Sequence, residues 1–446
     1  MRLEFYIICN IVQGDKMKFI VMLLCAGLCA SASAAKQAKN IIMVVGDGMG
    51  PSYTTAYRYF ADDKTTPEVE NTVFDRLLVG MASTNPHQVT GYVTDSAAGA
   101  TALATGVKTY NEAIGVDHTK LPVQNVIEWA KMQGMKTGVA VTSQINHATP
   151  AAFTTHNESR HNYNDIADNY YDQKIGGQFT LDVMLGGGWD FFIREDRNLV
   201  EEFKQAGYQY IDSPEQLDST DKTKALLGLF AKVGLPTALD TKNKQRLPAL
   251  TKTAIKHLEN EQGFFLLVEA SQVDWAGHGN DIAAAMAEMH DLALTLEWLE
   301  SYLQKHPDTL LVVTADHSTG GMSIGADDNY SWSPQWLTQL KLSPQSIAKQ
   351  LVLSKDKGEL ASELLGFELN IEEVNRLESM DTGQANDFYI VLKTLLDKRS
   401  NTGWTTRGHT GIDVPVFAKG PGSEMFRGFQ DNTQIAERIF SLLGKK

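Results

Sequence analysis

The chain has 446 residues, of which 43% are hydrophobic and 21% are charged, and its formal net charge is −14. These values are typical of a globular protein with a sizeable core, built as one large domain with insertions or as two to three ordinary domains. The negative charge argues against a nucleic-acid-binding surface, because neutralising phosphates requires a basic face. An anionic ligand would therefore need a locally positive pocket in an acidic surface.

The first 34 residues are typical of an export signal. Met17 and Lys18 precede an apolar run, Phe19–Cys29, and small residues at 32–34 form a cleavage pattern. We predict a signal peptide over 1–34, with Met17 as a second candidate for the start. The mature chain over 35–446 would be periplasmic or secreted. The apolar run is too short for a comfortable membrane span, so no membrane anchor is expected.

All cysteines of the chain lie in this segment, at Cys9, Cys25 and Cys29. A leucine precedes both Cys25 and Cys29 where a lipoprotein signal needs a small residue, which disfavours lipidation. The mature chain would contain no thiol, and so no disulfide and no cysteine metal ligand.

Short apolar runs of strand length alternate with helical patterns along the rest of the chain. A continuous apolar run predicts a strand buried on both faces, and this alternation predicts a mostly parallel sheet. We therefore expect an α/β fold, a three-layer sandwich with helices on both faces of a large sheet. The predicted strands are Asn40–Val45, Gly91–Thr94, Lys136–Thr142, Phe264–Glu269, Thr309–Thr314 and Val414–Ala418, and the glycines of Leu181–Gly188 predict a tight turn.

Ser96 follows one of these runs and precedes small residues that favour a helix, Ala97–Thr105, which Gly106 can end. Thr94 and Asp95 are good candidates for the N-cap, so Ser96 should lie in the first helical turn, where unpaired N–H groups favour an anion. Ser96 is thus a candidate nucleophile, although a plain capping role is the commoner use of such a serine. Because no histidine lies nearby in sequence, metal ions would have to activate it.

Polar residues follow four other predicted strands, at the edge where α/β sheets bind their ligands. Together with the Ser96 segment, five separate segments would meet at one rim of the sheet. The polar residues concerned are Asp47, His147, Thr149, Glu269, Asp316 and His317.

Residues 322–402 interrupt this pattern with a polar, helical stretch. The predicted helices are Ser346–Leu353, Ile371–Leu377 and Asp387–Lys398. Since the stretch separates His317 from His409, we interpret it as an insertion on the active-site side, forming a substrate rim or a subunit contact.

Asp274 and His278 are spaced i, i+4, so one helical turn presents both to the same ion. His409 lies in a glycine-flanked loop, where backbone can approach a site closely. Each motif alone also fits a purely structural role, but together the three residues form a zinc site with an open position.

A second set consists of Asp47, Asp316 and His317, which could hold another zinc whose open position accepts Ser96. Two such ions about 4 Å apart form the clamp used for displacement at phosphorus. Oxygen ligands from Glu269, Thr149 and a shared Asp47 favour a magnesium ion that keeps several waters.

With these residues in place, the chain resembles the bacterial alkaline phosphatases. The segments that carry the resemblance are VGDGMG at Asp47, VTDSAAGATALATG at Ser96, HATPAAF at His147, ESRH at Arg160, VEASQVDWAGH at Glu269, TADHSTGG at Asp316 and RGHTG at His409. The resemblance implies hydrolysis of phosphate monoesters through a serine nucleophile, two zinc ions, one magnesium ion, Arg160 on the phosphate and usually a homodimer. Without the resemblance, Arg160 would be an ordinary loop arginine.

The chain departs from the enteric members of that family at two positions. His147 and Trp275 stand where those enzymes have an aspartate and a lysine, and this pair resembles the marine and cold-adapted branch. Both are candidate substrate-binding residues. An indirect role for His147 and a packing role for Trp275 are the alternatives.

Other functions remain as rivals to a phosphomonoesterase. A phosphodiesterase or phosphomutase of the same superfamily is disfavoured by the third metal site that Glu269 and Thr149 would supply. A sulfatase is disfavoured because no Pro and Arg follow Ser96. A non-catalytic metal- or phosphate-binding protein would have no reason to place an activated serine beside zinc ligands.

Overall fold

In a computed structural model, residues 38–241 and 245–445 of the chain are described, and the predicted signal peptide lies outside them. Ten strands of the described chain join in one sheet. In chain order they are β1 Asn40–Gly46, β2 Leu78–Ser83, β3 Lys136–Gln144, β4 Val183–Gly187, β5 Gln209–Ile211, β6 Leu226–Leu229, β7 Phe264–Ala270, β8 Thr309–Thr314, β9 Val414–Lys419 and β10 Gly428–Asp431.

The strand order across the sheet is β10-β2-β9-β8-β1-β7-β3-β4-β6-β5. Neighbouring strands are parallel except at β9, which runs antiparallel to both β8 and β2. The predicted α/β fold with a large, mostly parallel sheet is therefore confirmed. β1 lies between β8 and β7 and is buried along its whole length, which explains its continuous apolar sequence.

Sequence patterns located the central strands better than the outer ones. Five of the predicted strands agree with β1, β3, β7, β8 and β9 to within two residues at each end. The glycine-rich segment forms β4 and then a turn at Gly188, whose φ of 122° suits glycine alone. Gly91–Thr94 forms no strand, and β2, β5, β6 and β10 were not predicted. β2, β5 and β10 are partly exposed strands at or near a sheet edge, where no continuous apolar run is required, and β6 is buried but only four residues long.

Helices connect and cover the strands. The α-helices of the described residues are Pro51–Phe60, Val73–Leu77, Ser96–Thr105, Val126–Met132, Ala148–Thr154, Tyr163–Asp172, Trp189–Phe192, Leu199–Gln205, Arg246–Leu258, Gln272–Gly279, Ile282–Lys305, Gln335–Thr338, Pro344–Leu351, Lys357–Leu365, Ile371–Glu378, Ala385–Ser400 and Asn432–Leu442. Short 3₁₀ turns lie at Gln88–Thr90, Pro214–Ser219, Ala238–Asp240 and Ser423–Phe426. Within residues 38–241 and 245–445, none of these helices has the length and apolar character that a membrane crossing requires.

The helix Ser96–Thr105 is buried throughout and is held at both ends as its sequence predicts. The side chain of Asp95 accepts a hydrogen bond from the N–H of Ala98, and Gly106 ends the helix in the left-handed region. Asp95 is thus the N-cap, and Ser96 is the first helical residue.

The polar stretch 322–402 contains the three helices predicted for it, at Pro344–Leu351, Ile371–Glu378 and Ala385–Ser400. The last of these is the longest, and Phe388, Leu392 and Leu396 are buried along one side of it. Two short antiparallel pairs, Ser323–Ile324 with Thr402–Gly403 and Ser318–Thr319 with His409–Thr410, close the stretch back onto the sheet.

Candidate active site

The register of the central strands places the predicted site residues at one level. Val45 of β1 is paired with Thr314 of β8 and with Glu269 of β7. Asp47 and Asp316 each follow their paired residue by two positions, so they emerge side by side at the carboxyl edge of the sheet. This edge is where parallel sheets bind ligands, because the turns that follow the strands converge there.

Asp47, Asp316 and His317 form a fully buried cluster whose ligand atoms lie within 4.8 Å of one another. The Nε2 atom of His317 is 3.2 Å from Oδ2 of Asp316 and 3.5 Å from Oδ1 of Asp47. The hydroxyl of Ser96 lies 3.1 Å from the same Nε2 atom. The serine hydroxyl therefore lies beside the imidazole that also contacts both carboxylates of this cluster.

Asp274, His278 and His409 form a second cluster with the same spread of ligand atoms. Nε2 of His278 is 3.3 Å from Oδ2 of Asp274, and Nε2 of His409 is 3.5 Å from Oδ1. The two Nε2 atoms are only 3.0 Å apart. Unlike the first cluster, this one reaches the surface, since the His278 side chain is 42% exposed. His409 also stacks on His317 at 3.5 Å between ring centroids, so the two clusters adjoin.

A third group joins Asp47, His147 and Glu269, again within 4.8 Å and fully buried. The buried hydroxyl of Thr149 has no hydrogen-bond partner, and Oε1 of Glu269 has none either. The other oxygen of Glu269 accepts a hydrogen bond from Ser143 at 3.3 Å. Asp47 thus belongs to both the first and the third of these three sets of potential ligands.

Arg160 lies beside this third group. Its Nη1 donates to Oδ2 of Asp95 at 3.0 Å, and its Nη2 donates to Nε2 of His147 at 3.2 Å. Asp95 also accepts from the N–H of Glu112. Two anchored nitrogens fix the plane of the guanidinium group next to the helix that begins at Ser96.

The two histidines of the second cluster, His278 and His409, are each oriented through the second ring nitrogen. Nδ1 of His409 bonds the carbonyl of Thr94 at 2.9 Å, and Nδ1 of His278 bonds the carbonyl of Arg407. A backbone carbonyl only accepts, so Nδ1 carries the proton in both rings and Nε2 is left with a free lone pair. This is the arrangement in which proteins present histidine to a metal.

Thr319 connects the two clusters and was not predicted. Its hydroxyl donates to Oδ1 of Asp274 at 2.5 Å and lies 3.2 Å from Nδ1 of His317. The residue sits in the motif TADHSTGG two positions after His317. Its place next to two predicted ligands is the signal by which a sequence reading could have found it.

Comparison with known proteins shows which family has this sequence and fold. The sequence model described as alkaline phosphatase matches residues 38–444. The chain belongs to the alkaline phosphatase family. It is 46% identical over 411 residues to alkaline phosphatase 3 of Bacillus subtilis, which covers 91% of this chain and 89% of the relative.

Solved structures of alkaline phosphatases agree with this membership. The cold-active enzyme of a psychrophilic Shewanella is 52% identical, with a TM-score of 0.86, and the match covers 91% of this chain and 99% of that one. The enzyme of the Antarctic bacterium TAB5 is 27% identical, with a TM-score of 0.68 and coverage of 92% and 99%. The resemblance inferred from the motifs is therefore confirmed, and two of the similar structures come from cold environments. Variants of the Antarctic enzyme with a histidine replaced by glutamate or aspartate bind Mg at a site called M3.

The carboxylates of this phosphatase are too crowded to be stable as charged groups alone. Burial and the negative charges of Asp316 and Asp274 raise the pKa of Asp47 well above its ordinary value. Burial raises the pKa of Glu269 to about 7, and burial with the charge of Asp274 raises the pKa of Asp316 to about 7. Divalent cations would offset this concentration of negative charge.

Hydrogen bonding gives a second test of whether the residues suit metal ions. Both oxygens of Asp47 and Oδ2 of Asp316 are buried without a hydrogen-bond partner, as are the Thr149 hydroxyl and Oε1 of Glu269. Buried oxygens without partners are uncommon in folded proteins and call for an ion or water. The donor sets of the first and third groups therefore fit metal ions.

The ionisation of the second cluster also suits a cation. Burial opposes the charge of Asp274, but the neighbouring imidazoles of His278 and His317 bring the pKa of Asp274 below its ordinary value. Burial lowers the pKa of His317 and of His409, whereas the contact with Asp274 raises the pKa of His278, which a bound cation would oppose. An ionised carboxylate and neutral imidazoles are the forms that bind metal.

His147 is close to the third group, but its hydrogen bond limits what it can do. Burial and the charge of Arg160 lower the pKa of His147 to about 3, so the ring is neutral. A guanidinium only donates, so Nε2 accepts from Arg160 and Nδ1 holds the proton. In this tautomer neither nitrogen has a free lone pair for a cation, which favours an indirect role for His147.

Trp275 packs against His147 with its ring at 82° and 6.0 Å between centroids. Its other side faces Gly234, where a Cβ atom would lie 2.4 Å from the indole ring. These contacts hold the indole beside the third group. They are equally consistent with a packing role for Trp275. Its predicted contact with substrate stays a prediction.

Proposed function

We propose that the chain hydrolyses phosphate monoesters in two steps, through a phosphoserine formed on Ser96. The observation that carries this proposal is the position of the Ser96 hydroxyl, 3.1 Å from His317 and within a cradle of buried carboxylates. Ser96 is also the first residue of its helix, where unpaired N–H groups face an anion.

The proposed metal assignment follows the three groups of side chains. Asp274, His278 and His409 would hold one zinc ion, and Asp47, Asp316 and His317 would hold a second. Glu269, Thr149 and the shared Asp47 would hold magnesium through oxygen. Bound there, the metals would lower the pKa of the Ser96 hydroxyl and stabilise the departing oxygen.

The chain's own residues would position the reacting phosphoryl group. The guanidinium of Arg160, held in its plane by Asp95 and His147, would donate to two phosphoryl oxygens at once. The N–H groups at the start of the Ser96 helix would face the same oxygens, where negative charge accumulates during transfer. The Ser96 oxygen would attack on the side opposite the leaving alcohol, and water would then cleave the phosphoserine.

Export and assembly are part of the same proposal. The signal peptide over 1–34 would deliver the mature chain, 35–446, to the periplasm or outside the cell, where it would act as a homodimer. The helical segment 322–402 would be an insertion that borders the substrate or the second subunit.

The phosphoserine is tested by mixing the enzyme with a radiolabelled monoester, quenching in acid and locating the label by mass spectrometry. We expect label on Ser96 and none in Ser96→Ala, whose kcat should fall at least about 1,000-fold with its metal content unchanged. Ser400→Ala, which removes a buried serine from the end of another helix, is the control for loss of a buried hydroxyl. Label retained by Ser96→Ala would refute the assignment.

The substrate class is tested by comparing a monoester and a diester of the same aromatic alcohol. We expect the monoester to be hydrolysed at least about 100-fold faster. A diester has one fewer non-bridging oxygen for Arg160 and the helix N-terminus to bind. Activity should disappear with a chelator and return with zinc and magnesium. A preference for the diester would overturn the proposed substrate class.

A further inference from the structure

The last helix of the segment 322–402, Ala385–Ser400, contacts both chain segments that carry the exposed ligand cluster. Asp274 and His278 lie on the helix Gln272–Gly279, and His409 lies on the strap, which we define as residues 404–409. Residues Thr405, Thr406 and Arg407 of the strap are exposed, and its backbone bonds that of Gly320.

Lys393 holds the end of the ligand-bearing helix. Its side chain is buried, and its ammonium group donates a hydrogen bond to the carbonyl of Gly279. That carbonyl belongs to the last residue of the helix, one position after His278, and would otherwise lack a partner. A positive charge at a helix C-terminus also favours the helix dipole.

Tyr389 packs on the same point from one turn earlier in the Ala385–Ser400 helix. A Cβ atom on Gly279 would lie 2.8 Å from the tyrosine hydroxyl, so the ring leaves room for glycine only. The ammonium of Lys393 lies 5.5 Å from the centre of this ring. The lysine is therefore held in place by its own helix while it contacts the other.

Asp397, one turn later, holds the start of the strap. Its Oδ1 atom accepts a hydrogen bond from Nε1 of Trp404 at 3.0 Å. The ring of Trp404 covers Gly320, where a Cβ atom would lie 2.6 Å away, and Gly320 in turn donates to the carbonyl of Gly408 at 2.9 Å. The strap is thereby fixed immediately before His409.

The strap and the ligand-bearing helix also bond each other. His278 bonds the carbonyl of Arg407, and the amide of Asn280, oriented to donate, reaches the carbonyl of Thr406 at 2.9 Å. The geometry of His278 and His409 therefore depends on two segments that bond each other directly and are both held by the Ala385–Ser400 helix.

We propose that Lys393 and the Asp397–Trp404 pair are positioning residues that set the zinc affinity of the Asp274, His278 and His409 site. None of them reaches the ligand atoms; they act by holding the Gln272–Gly279 helix and the strap at the separation that one ion requires. This inference rests on the metal assignment of the proposed function, because it concerns the same site.

The test measures zinc affinity by competition with a chelator at equilibrium, on the full chain. His278→Gln identifies which of the two zinc affinities belongs to this site. We expect Lys393→Met to weaken that affinity about 10- to 100-fold, the range seen when the groups that orient ligands are lost. The other affinity should be unchanged, and excess zinc should restore kcat.

Lys398→Met is the matched control, since it makes the same change on an exposed face of the same helix and should bind zinc like the wild type. Lys393→Arg, which keeps a charged donor, should recover most of the affinity. Trp404→Phe keeps an aromatic side chain but removes the N–H that bonds Asp397. It should weaken the same affinity about 3- to 10-fold, and it tests the inference if Lys393→Met does not fold.

Wild-type affinity in both Lys393→Met and Trp404→Phe would overturn the inference, and so would equal weakening of both zinc affinities. If His278→Gln leaves both zinc affinities at their wild-type values, the metal assignment in the proposed function is overturned instead. The two failures are therefore distinguishable.

Discussion

The two ligand clusters that flank Ser96 are built in different ways. Asp47, Asp316 and His317 follow directly from β1 and β8 and are fully buried. Asp274, His278 and His409 come from a helix end and a strap, and the His278 side chain is 42% exposed. The first cluster is fixed by strand register, whereas the second depends on loop contacts made far along the chain. We therefore expect the first site to be rigid and the second to exchange its metal more readily.

The largest expected effect is at the buried cluster. Asp316→Asn removes a ligand that no neighbour can replace, so kcat/KM should fall by at least about 1,000-fold. Above about pH 7, where Asp316 is ionised, the same change should raise the melting temperature of the chelated protein, because it removes one of several mutually repelling buried carboxylates.

Asp308→Asn is the control for this prediction, because it makes the same change at the opposite end of the same strand. Activity assays and calorimetry check both variants. A chelated Asp316→Asn protein that melts below the wild type would show that the cluster is not strained without metal.

Gly48 tests how closely the two clusters must approach. Its φ is +73°, and a Cβ atom there would lie 2.8 Å from Cα of Asp274 and 2.7 Å from the Thr319 hydroxyl. We expect Gly48→Ala to lower kcat/KM about 100-fold by pushing the clusters apart. Gly134→Ala has similar strain, with a φ of +80°, but meets no atom within 4 Å. Comparable activity losses in the two variants would mean that strain alone, and not separation of the clusters, is responsible.

A smaller and reversible effect is expected at the exposed cluster. His278→Gln removes a direct ligand, so it should weaken one zinc affinity by more than about 100-fold, beyond the range for lost orienting groups, and lower activity at limiting zinc, while excess zinc should restore most of the rate. His306→Gln, which alters a histidine stacked on Tyr302, serves as the control. If added zinc restores the activity of Asp316→Asn but not the activity of His278→Gln, the proposed contrast between the clusters is reversed.

The smallest expected effect is a pH dependence of the chelated protein. Glu269 and Asp316 have pKa values raised to about 7, whereas unfolded carboxyl groups titrate near 4. Between these values the folded state keeps protons that the unfolded state releases, so each group favours the folded state at low pH and loses this contribution as pH rises to about 7.

Denaturation of chelated protein at several pH values checks this prediction, with Asp316→Asn as the reference. The stability of the wild type relative to Asp316→Asn should decline between pH 4 and 7 and then level off. A relative stability that increases over this range would show that the buried carboxyl groups are not protonated there.

Sequence patterns located the strands that are buried on both faces. β1, β7 and β8 are buried on both faces, so their apolar runs were unambiguous and the residues at their ends could be named in advance. β2 and β10 lie towards one edge of the sheet and expose Leu78 and Phe429, so no such run marked them. The strand predicted at Gly91–Thr94 was wrong because its β-prone residues have no neighbouring strand to pair with.

Residue types and spacing by themselves determined the α/β fold, the helix that begins at Ser96 and the set of oxygen and nitrogen donors available for metals. These follow from local rules: apolar periodicity, capping and ligand chemistry. Only the tertiary structure decided how Thr319 bridges the clusters, which nitrogen of His147 is engaged by Arg160, and how Lys393 braces the helix of His278. Such contacts join residues distant in sequence, and their distances depend on how whole elements pack together.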